Sequence, residues 1–367
     1  MNRRDSFKVS LGALAASTVA PSLVRSAQAA EAPKDREPFV QYGRTFAEPD
    51  QANPYGVSKV AFNMVSPDLE ASKKFYRDCL EYDVVDEGAI SKGQSEAPGI
   101  GAPGRKYISL VVPGRAGNVV IRVLEAPPGA IDNRPRPTSN ALDPGLLVIE
   151  QGTTDPAESY ARLKSFNTPV ISPPRYYLYR NTNADGAEIN GRDFDVMSYT
   201  AFGPGGEQLF TTAQVSSNRT MPAAGARLHS GFGGTSVTSL DDRPVLDFYE
   251  KALGLRQTTS ITSYQHNNND LVGVPRGSFH TWAQVAGLGE VWQYWAAKGT
   301  CYPTSLDRKG YAMVTMQVKE FDKVKKLCAD NRIKVIGQGA LPLPGRKPTQ
   351  GFYIRGAVGE LIEVIPA

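Results

Sequence analysis

Residues 75–82 read FYRDCLEY and residues 248–255 read FYEKALGL, 173 positions apart. Each follows a strand-like run and an Asp-bearing turn: KVAFNMV over Lys59–Val65 before Asp68, and GFGGTSVT over Gly231–Thr238 before Asp241 and Asp242. A chain that writes one helix end twice is built from repeats, and a repeat too small to bury its own sheet must pair with another. Asp68 stands where an N-cap belongs, and Leu69, Ser72, Phe75, Tyr76 and Cys79 recur at helical spacing behind it. Strands are expected at Tyr82–Glu87, Lys106–Val112 and Val119–Leu124, which makes the unit β-α-β-β-β.

The same order recurs three times. A second copy runs from Leu146–Glu150 through a helix at Pro156–Phe166 to GGEQLF at 205–210. The third takes in Gly231–Thr238, a helix at Pro244–Leu253 and EVWQYW at 290–295; the fourth takes in Tyr311–Val318, a helix at Phe321–Asn331 and GELIEV at 359–364. Pro127–Pro144, with five prolines, and the polar stretch Ser216–Arg227 read as linkers. The expected class is α+β, with four such modules paired into two open barrel-like domains, 57–215 and 228–367, joined by 216–227 and preceded by an arm at 30–56.

A length of 367 residues suits two cores, and a net charge of +4 without a dense Lys/Arg cluster argues against nucleic acid as a partner. Arg3-Arg4-Asp5-Ser6-Phe7-Lys8, the uncharged run Val9–Val24 and Ala27-Gln28-Ala29 form a signal-peptide layout. The Arg pair resembles the twin-arginine export signal, which implies the export machinery as a partner, cleavage near Ala29 (signal peptide 1–29) and a periplasmic protein. The 16-residue apolar run is short for a span of about 20, so no membrane anchor is expected after cleavage. Cys79, Cys301 and Cys328 are odd in number and lack CxxC spacing; Cys79 reads as core, and a Cys301–Cys328 bridge is left open.

The stretches VAFNMVSPDLEASKKFYRDCLEYDVV and TSVTSLDDRPVLDFYEKALGLRQ resemble the vicinal oxygen chelate superfamily of glyoxalase I, bleomycin-resistance proteins and extradiol dioxygenases. The resemblance runs from about residue 57 to the end, and four modules in one chain are most similar to the extradiol dioxygenases. It implies a divalent metal held by His on first strands and Glu on last strands, chelated by two substrate oxygens. Those positions fall at Ala61, Val148, Gly234 and Met313 on first strands and at Arg122, Phe210, Gln293 and Glu363 on last strands, with no His among them. A metal, iron or manganese, would have to draw on His229, His266, His280 and Glu363; otherwise no cofactor is expected.

His280 and Glu363 are the candidate catalytic pair, expected to converge with Gln293 in the second domain; the alternative is a hydrogen-bonded core His280, a loop His266 and a Glu363 paired to a nearby base. Arg175, Tyr177, Tyr264, Trp282, Trp292, Gln293 and Tyr294 form a candidate wall for a flat small-molecule ligand. By strand parity Asn63, Arg122 and Glu150 point into the first domain, and Ser236, Thr315 and Gln317 into the second. An Arg122–Glu150 ion pair in place of a metal would make the first domain structural. Three functions follow: a lyase or isomerase moving protons on a small aromatic or oxygenated compound, a metal-dependent dioxygenase with atypical ligands, or a small-molecule binding protein.

Overall fold

The computed structural model describes residues 46–367, apart from 49, 95, 113–118, 135–142, 180–193, 215–226, 264–265, 277, 279, 295–301 and 347–349. The expected signal peptide, the arm up to residue 45, the linker but for Arg227, Tyr264, Cys301 and the side chain of Tyr294 lie outside the described residues. The first segment carries β1 (Val57–Ser66), α1 (Leu69–Lys74) continued by a π-turn at Phe75–Cys79, β2 (Asp83–Ala89), β3 (Lys106–Val111) and β4 (Val120–Glu125). Next come β5 (Gly145–Thr153), α2 (Pro156–Ser165), β6 (Val170–Tyr179), β7 (Phe194–Phe202) and β8 (Gln208–Gln214). The third segment holds β9 (His229–Ser239), α3 (Asp242–Leu253), β10 (Gln257–Ser263), α4 (His266–Leu271), β11 (His280–Val285) and β12 (Gly289–Tyr294). The fourth holds β13 (Gly310–Val318), α5 (Phe321–Asp330), β14 (Gly337–Gln338), β15 (Phe352–Arg355) and β16 (Leu361–Pro366). Among the described residues no helix is long and apolar enough to cross a membrane.

Three helix starts, those of α1, α2 and α3, follow one rule. Asp68 accepts from Ala71 N at 2.9 Å, Asp155 from Ala157 N and Glu158 N at 2.9 and 3.0 Å, and Asp241 from Arg243 N at 3.1 Å. Helix ends follow another: Glu81, Asn167, Gly254 and Arg332 take φ of 64°, 54°, 68° and 58°. The next amide then reaches back over the last turn, Tyr82 N to Tyr76 O at 2.9 Å and Leu255 N to Tyr249 O at 3.1 Å. Only Gly254 adopts that backbone freely; Glu81 does so while its carboxylate takes Leu228 N (2.9 Å) and Arg162 (2.9 Å).

The strands form two eight-stranded sheets, ordered β14-β15-β16-β13-β1-β4-β3-β2 and β10-β11-β12-β9-β5-β8-β7-β6. The first segment therefore pairs with the fourth and the second with the third, through antiparallel β1–β13 and β5–β9. This corrects the expected division into 57–215 and 228–367: those stretches each contribute to both sheets, and residues 40–367 form one compact unit. A large apolar core joins the two sheets, combining Phe62, Met64 and Val314 with Ile149, Leu209, Val237 and Val291, and taking in Leu163, Tyr249 and Val324 from helices.

The physical reason lies in how consecutive segments meet. Tyr76, from FYRDCLEY, donates to Glu207 at 2.5 Å, and Tyr249, from FYEKALGL, donates to Glu360 at 2.9 Å. Each acceptor closes a Gly-x-x-Gly-Glu turn in the following segment, where Gly206 (φ 91°) and Gly359 (φ 84°) bend the chain. A Cβ on Gly203 or Gly356 would fall on the carboxylate. Burial pushes Glu360 up to about 7 and raises Glu207, with the tyrosine hydroxyl opposing the shift in both. Helix-to-turn contacts thus occupy the meeting of segments one with two and three with four, and the strand edges are left to pair one with four and two with three. Tyr76→Phe or Tyr249→Phe removes one buried donor, and each is expected to cost about 1–3 kcal/mol in urea unfolding.

Candidate active site

Strands of the second sheet alternate. Ile149, Leu209, Val237, Ala283 and Val291 face the shared core, whereas their neighbours Val148, Phe210, Trp282 and Trp292 join Tyr177 and Val196 in a separate cluster closed by Leu271, Val272 and Val274. The closing residues come from α4 and the turn behind it, so the Asn-rich stretch at 267–269 lies in a short helix packed on this face.

Two carboxylates stand on that face. Ser236 Oγ donates to Glu150 Oε1 at 2.6 Å. Trp292 Nε1 donates to Glu290 Oε2 at 2.5 Å, and Gln284 Nε2 to Glu290 Oε1 at 3.2 Å. Lys59 reaches across from β1 of the first sheet and its Nζ donates to Leu288 O, two residues before Glu290. Gly289 lies beside it, and a Cβ there would stand 2.5 Å from Thr235 O at a φ of 129°. Tyr177 Oη lies 3.2 Å from Ser198 Oγ, which lies 2.9 Å from Thr212 Oγ1.

Enclosure raises both carboxylates. Burial, then repulsion from Glu150, pushes Glu290 up to about 8, against its Trp292 and Gln284 bonds and Lys59. Burial raises Glu150 as well, with the Ser236 hydroxyl and Lys59 opposing. Burial lowers Lys59 to about 8 while both carboxylates hold it up. Both carboxyls are therefore held above the usual carboxylate range by the same enclosure, which places two groups able to exchange protons on one face. Glu150, Glu290 and Lys59 are each only partly buried as residues.

The first sheet carries the same four positions with different chemistry. Asn63 stands beside Arg122 and opposite Met313, as Glu150 stands beside Phe210 and opposite Gly234. Thr315 stands beside Glu363 and opposite Ala61, as Ser236 stands beside Glu290 and opposite Val148. Arg122 Nη1 donates to Asn63 Oδ1 at 2.7 Å and to Glu363 Oε2 at 3.3 Å. Glu363 also accepts from Thr315 Oγ1 (2.6 Å), Leu341 N (2.6 Å) and Tyr353 Oη (2.8 Å). Arg122, Asn63, Thr315 and Glu363 are all 0 % exposed, which removes this centre from contact with ligand.

Several expectations need correcting here. Arg122 pairs with Glu363 and not with Glu150, because strand pairing brings the fourth segment to it. His280 and Glu363 lie on different sheets and do not converge. His280 is on the Glu290 face, stacked on Trp292 at 5.8 Å, but pairs with Tyr294, four residues or about 13 Å along β12 from Glu290. Burial lowers it to about 4. Of the expected wall, Tyr177, Trp282 and Trp292 come together, and Arg175 lies 3.7 Å from Asp270 of α4. Gln293 alternates to the other side and donates to Leu240 O at 3.1 Å. In all four segments the inward first-strand residue lies two places beyond the expected one: Asn63, Glu150, Ser236 and Thr315.

The expected metal does not fit these residues. At the first centre a guanidinium occupies the middle; at the second, Glu150 and Glu290 are joined by Ser236 and Phe210, a hydroxyl and a phenyl ring. Among the described residues no three His, Cys, Asp or Glu side chains gather to hold a metal ion. His266 begins α4 and is exposed. His229 is buried, with Nε2 2.6 Å from Ser159 Oγ and Nδ1 3.9 Å from Glu81 Oε2. Cys79 and Cys328 are free buried thiols, and Cys328 donates to Ala252 O at 3.1 Å. Sequence reasoning missed Glu290 and Lys59; the signal for Glu290 was its place behind the Gly287–Gly289 turn, matching Glu207 and Glu360.

Solved structures similar to this one are those of glyoxalase I from Zea mays: TM-score 0.53 at 13% identity, covering 86% of this chain and 95% of that one. Two variants of the maize enzyme each give a TM-score of 0.54, one at 14% identity over 85% of this chain and 92% of that, the other at 13% over 86% and 96%. The fold is thus that of glyoxalase I, the vicinal oxygen chelate fold. No protein-family model matches the sequence, and no curated protein matches it.

Arg122→Met leaves Glu363 charged and buried without its cation and is expected to cost about 3–5 kcal/mol, while Arg122→Met with Glu363→Gln recovers much of the loss in a double-mutant cycle. Burial lowers His229 to about 4, so the unfolded chain takes up its proton first. Its contribution to stability is present above pH 6.5 and falls as pH drops toward 4, by about 3 kcal/mol in total. Subtracting the pH profile of His229→Asn from that of the wild type should isolate this window.

Proposed function

We propose that the chain is an enzyme of the vicinal oxygen chelate fold that moves protons on a small, uncharged aromatic compound bearing adjacent oxygens. The observation that carries this reading is the pair of raised, partly exposed carboxylates, Glu150 and Glu290, on the face that carries Tyr177, Trp282 and Trp292. In this reading each sheet curls about its inward residues as an open barrel, and the aromatic group lies against the indoles. Glu150, held by Ser236, takes a proton from the carbon next to a carbonyl; Glu290 gives its proton to the carbonyl oxygen. The enediol collapses in reverse with the proton returned to the other carbon, which isomerises the compound with no net change in atoms. One basic and two acidic groups leave no surplus positive charge for an anionic substrate, which favours a neutral one.

A neutral probe with this chemistry is 2-hydroxyacetophenone. In D2O the purified protein is expected to exchange its methylene protons, followed by proton NMR, with Glu150→Gln and Glu290→Gln each at least about 100-fold slower. Quenching of tryptophan fluorescence by the probe without exchange would mark a binding protein instead. We also propose export by the twin-arginine route to the periplasm on the strength of Arg3 and Arg4. Recovery of a periplasmic form starting after Ala29, lost on Arg3→Lys with Arg4→Lys, tests it.

A further inference from the structure

The first centre leaves part of its cation without a partner. Arg122 is 0 % exposed and directs Nη1 at Asn63 Oδ1 (2.7 Å) and Glu363 Oε2 (3.3 Å), while its Nε and Nη2 make no hydrogen bond. Those two nitrogens share one edge of the planar guanidinium, the fork that offers two parallel N–H groups. Ser109 stands directly opposite Arg122 across β3 and β4, so both side chains rise from the same face, and the Ser109 hydroxyl is also buried without a partner. Polar groups nearby are committed elsewhere. Tyr353 Oη and Thr315 Oγ1 donate to Glu363, Asn63 Nδ2 donates to Met313 O and to Thr315 Oγ1 at 3.0 Å each, and Tyr107 Oη donates to Asp86 Oδ2 at 3.0 Å. Two residues along the strands, Tyr107 and Leu124 flank the pair within an apolar cluster that includes Met313 and Leu341.

We infer that the free edge of Arg122 and the Ser109 hydroxyl form a binding site for an internal water molecule. The water oxygen accepts from Nε and Nη2, and one of its protons reaches Ser109 Oγ, a set of partners of the kind that retains a buried water. Charge decides between water and an anion. Glu363 already balances Arg122, and Asp86 stands opposite Ser109 on β2, so an anion would bring a further negative charge into a sealed site beside carboxylates. Water supplies lone pairs without charge, and holding it costs less than leaving charged donors unpaired. Through it, Arg122 on β4 is tied to β3 on one edge and to β1 and β16 on the other. The inference concerns the first sheet alone and stands apart from the chemistry proposed for the second.

The test is a crystal structure of the full chain grown with bromide in place of chloride and measured at the bromine absorption edge. The expected result is a single-atom peak without anomalous signal, within about 3.2 Å of Ser109 Oγ and of Arg122 Nε or Nη2. No peak, a bromide signal, or density for a molecule of more than one heavy atom at that place overturns the inference. Thermal unfolding of Ser109→Ala and Ser109→Val checks it in solution. Valine puts methyl groups where the water would lie, so its midpoint is expected to fall below that of Ser109→Ala by about 2 °C or more. Filling an empty space with the same methyl groups would raise it instead, and a Ser109→Val midpoint at or above that of Ser109→Ala overturns the inference. Should Ser109→Val fail to fold, the wild-type crystal decides alone.

Discussion

Two hydroxyl-to-carboxylate contacts, Tyr76 to Glu207 and Tyr249 to Glu360, decide how this chain is put together. Each is buried, and each needs a glycine whose Cβ would otherwise displace the carboxylate. They join a helix of one segment to the turn before the last strand of the next, which uses up the adjacency that consecutive segments usually spend on strand pairing. The first strands must then find partners further along the chain, β1 with β13 and β5 with β9. From that pairing follows every side chain that meets another at the centre of a sheet.

One frame therefore yields two centres of opposite character. Asn63, Arg122, Thr315 and Glu363 form a sealed ion pair in which neighbours bond the carboxylate fully while Nε and Nη2 of Arg122 are left without hydrogen-bond partners. Such a pair contributes little net stability over apolar packing, since desolvation offsets its attraction, but it fixes which strands can face each other. The equivalent Glu150, Phe210, Ser236 and Glu290 carry two carboxyl groups in place of an oppositely charged pair. Two carboxyls in an enclosed site repel as anions; burial raises both, and that repulsion raises Glu290 further. The same backbone geometry thus serves structure at one centre and leaves reactive groups at the other.

Much of the local architecture was legible before the fold was known. The expected helices at Pro156–Phe166, Pro244–Leu253 and Phe321–Asn331 compare with Pro156–Ser165, Asp242–Leu253 and Phe321–Asp330, because aspartate caps and helical spacing are properties of neighbouring residues. The shared helix ending was half hidden, since Glu81 and Arg332 stand in the left-handed position where Gly254 shows it openly. Segment pairing was not legible: it depends on Tyr–Glu contacts spanning more than a hundred residues, which no periodicity encodes. That single error sent Arg122 to Glu150 and His280 toward Glu363. The third last-strand position was read at Gln293 by carrying one register through all four segments, whereas the inward carboxylate is three residues earlier, at Glu290.

Trp292 explains why His280 is a poor base despite lying on the right face. Its indole N–H is committed to Glu290 and its ring face to His280, so the tryptophan stands between the two rather than beside a shared substrate position. Burial holds His280 neutral, and stacking on an aromatic ring satisfies its flat surface. The hydrogen bond from Trp292 instead favours the ionised form of Glu290, opposing the repulsion from Glu150 and keeping its proton exchangeable near neutral pH. An aromatic wall and an acid–base centre are therefore not two features of this face: the residue that would support a flat ligand is the one that tunes the acid beneath it.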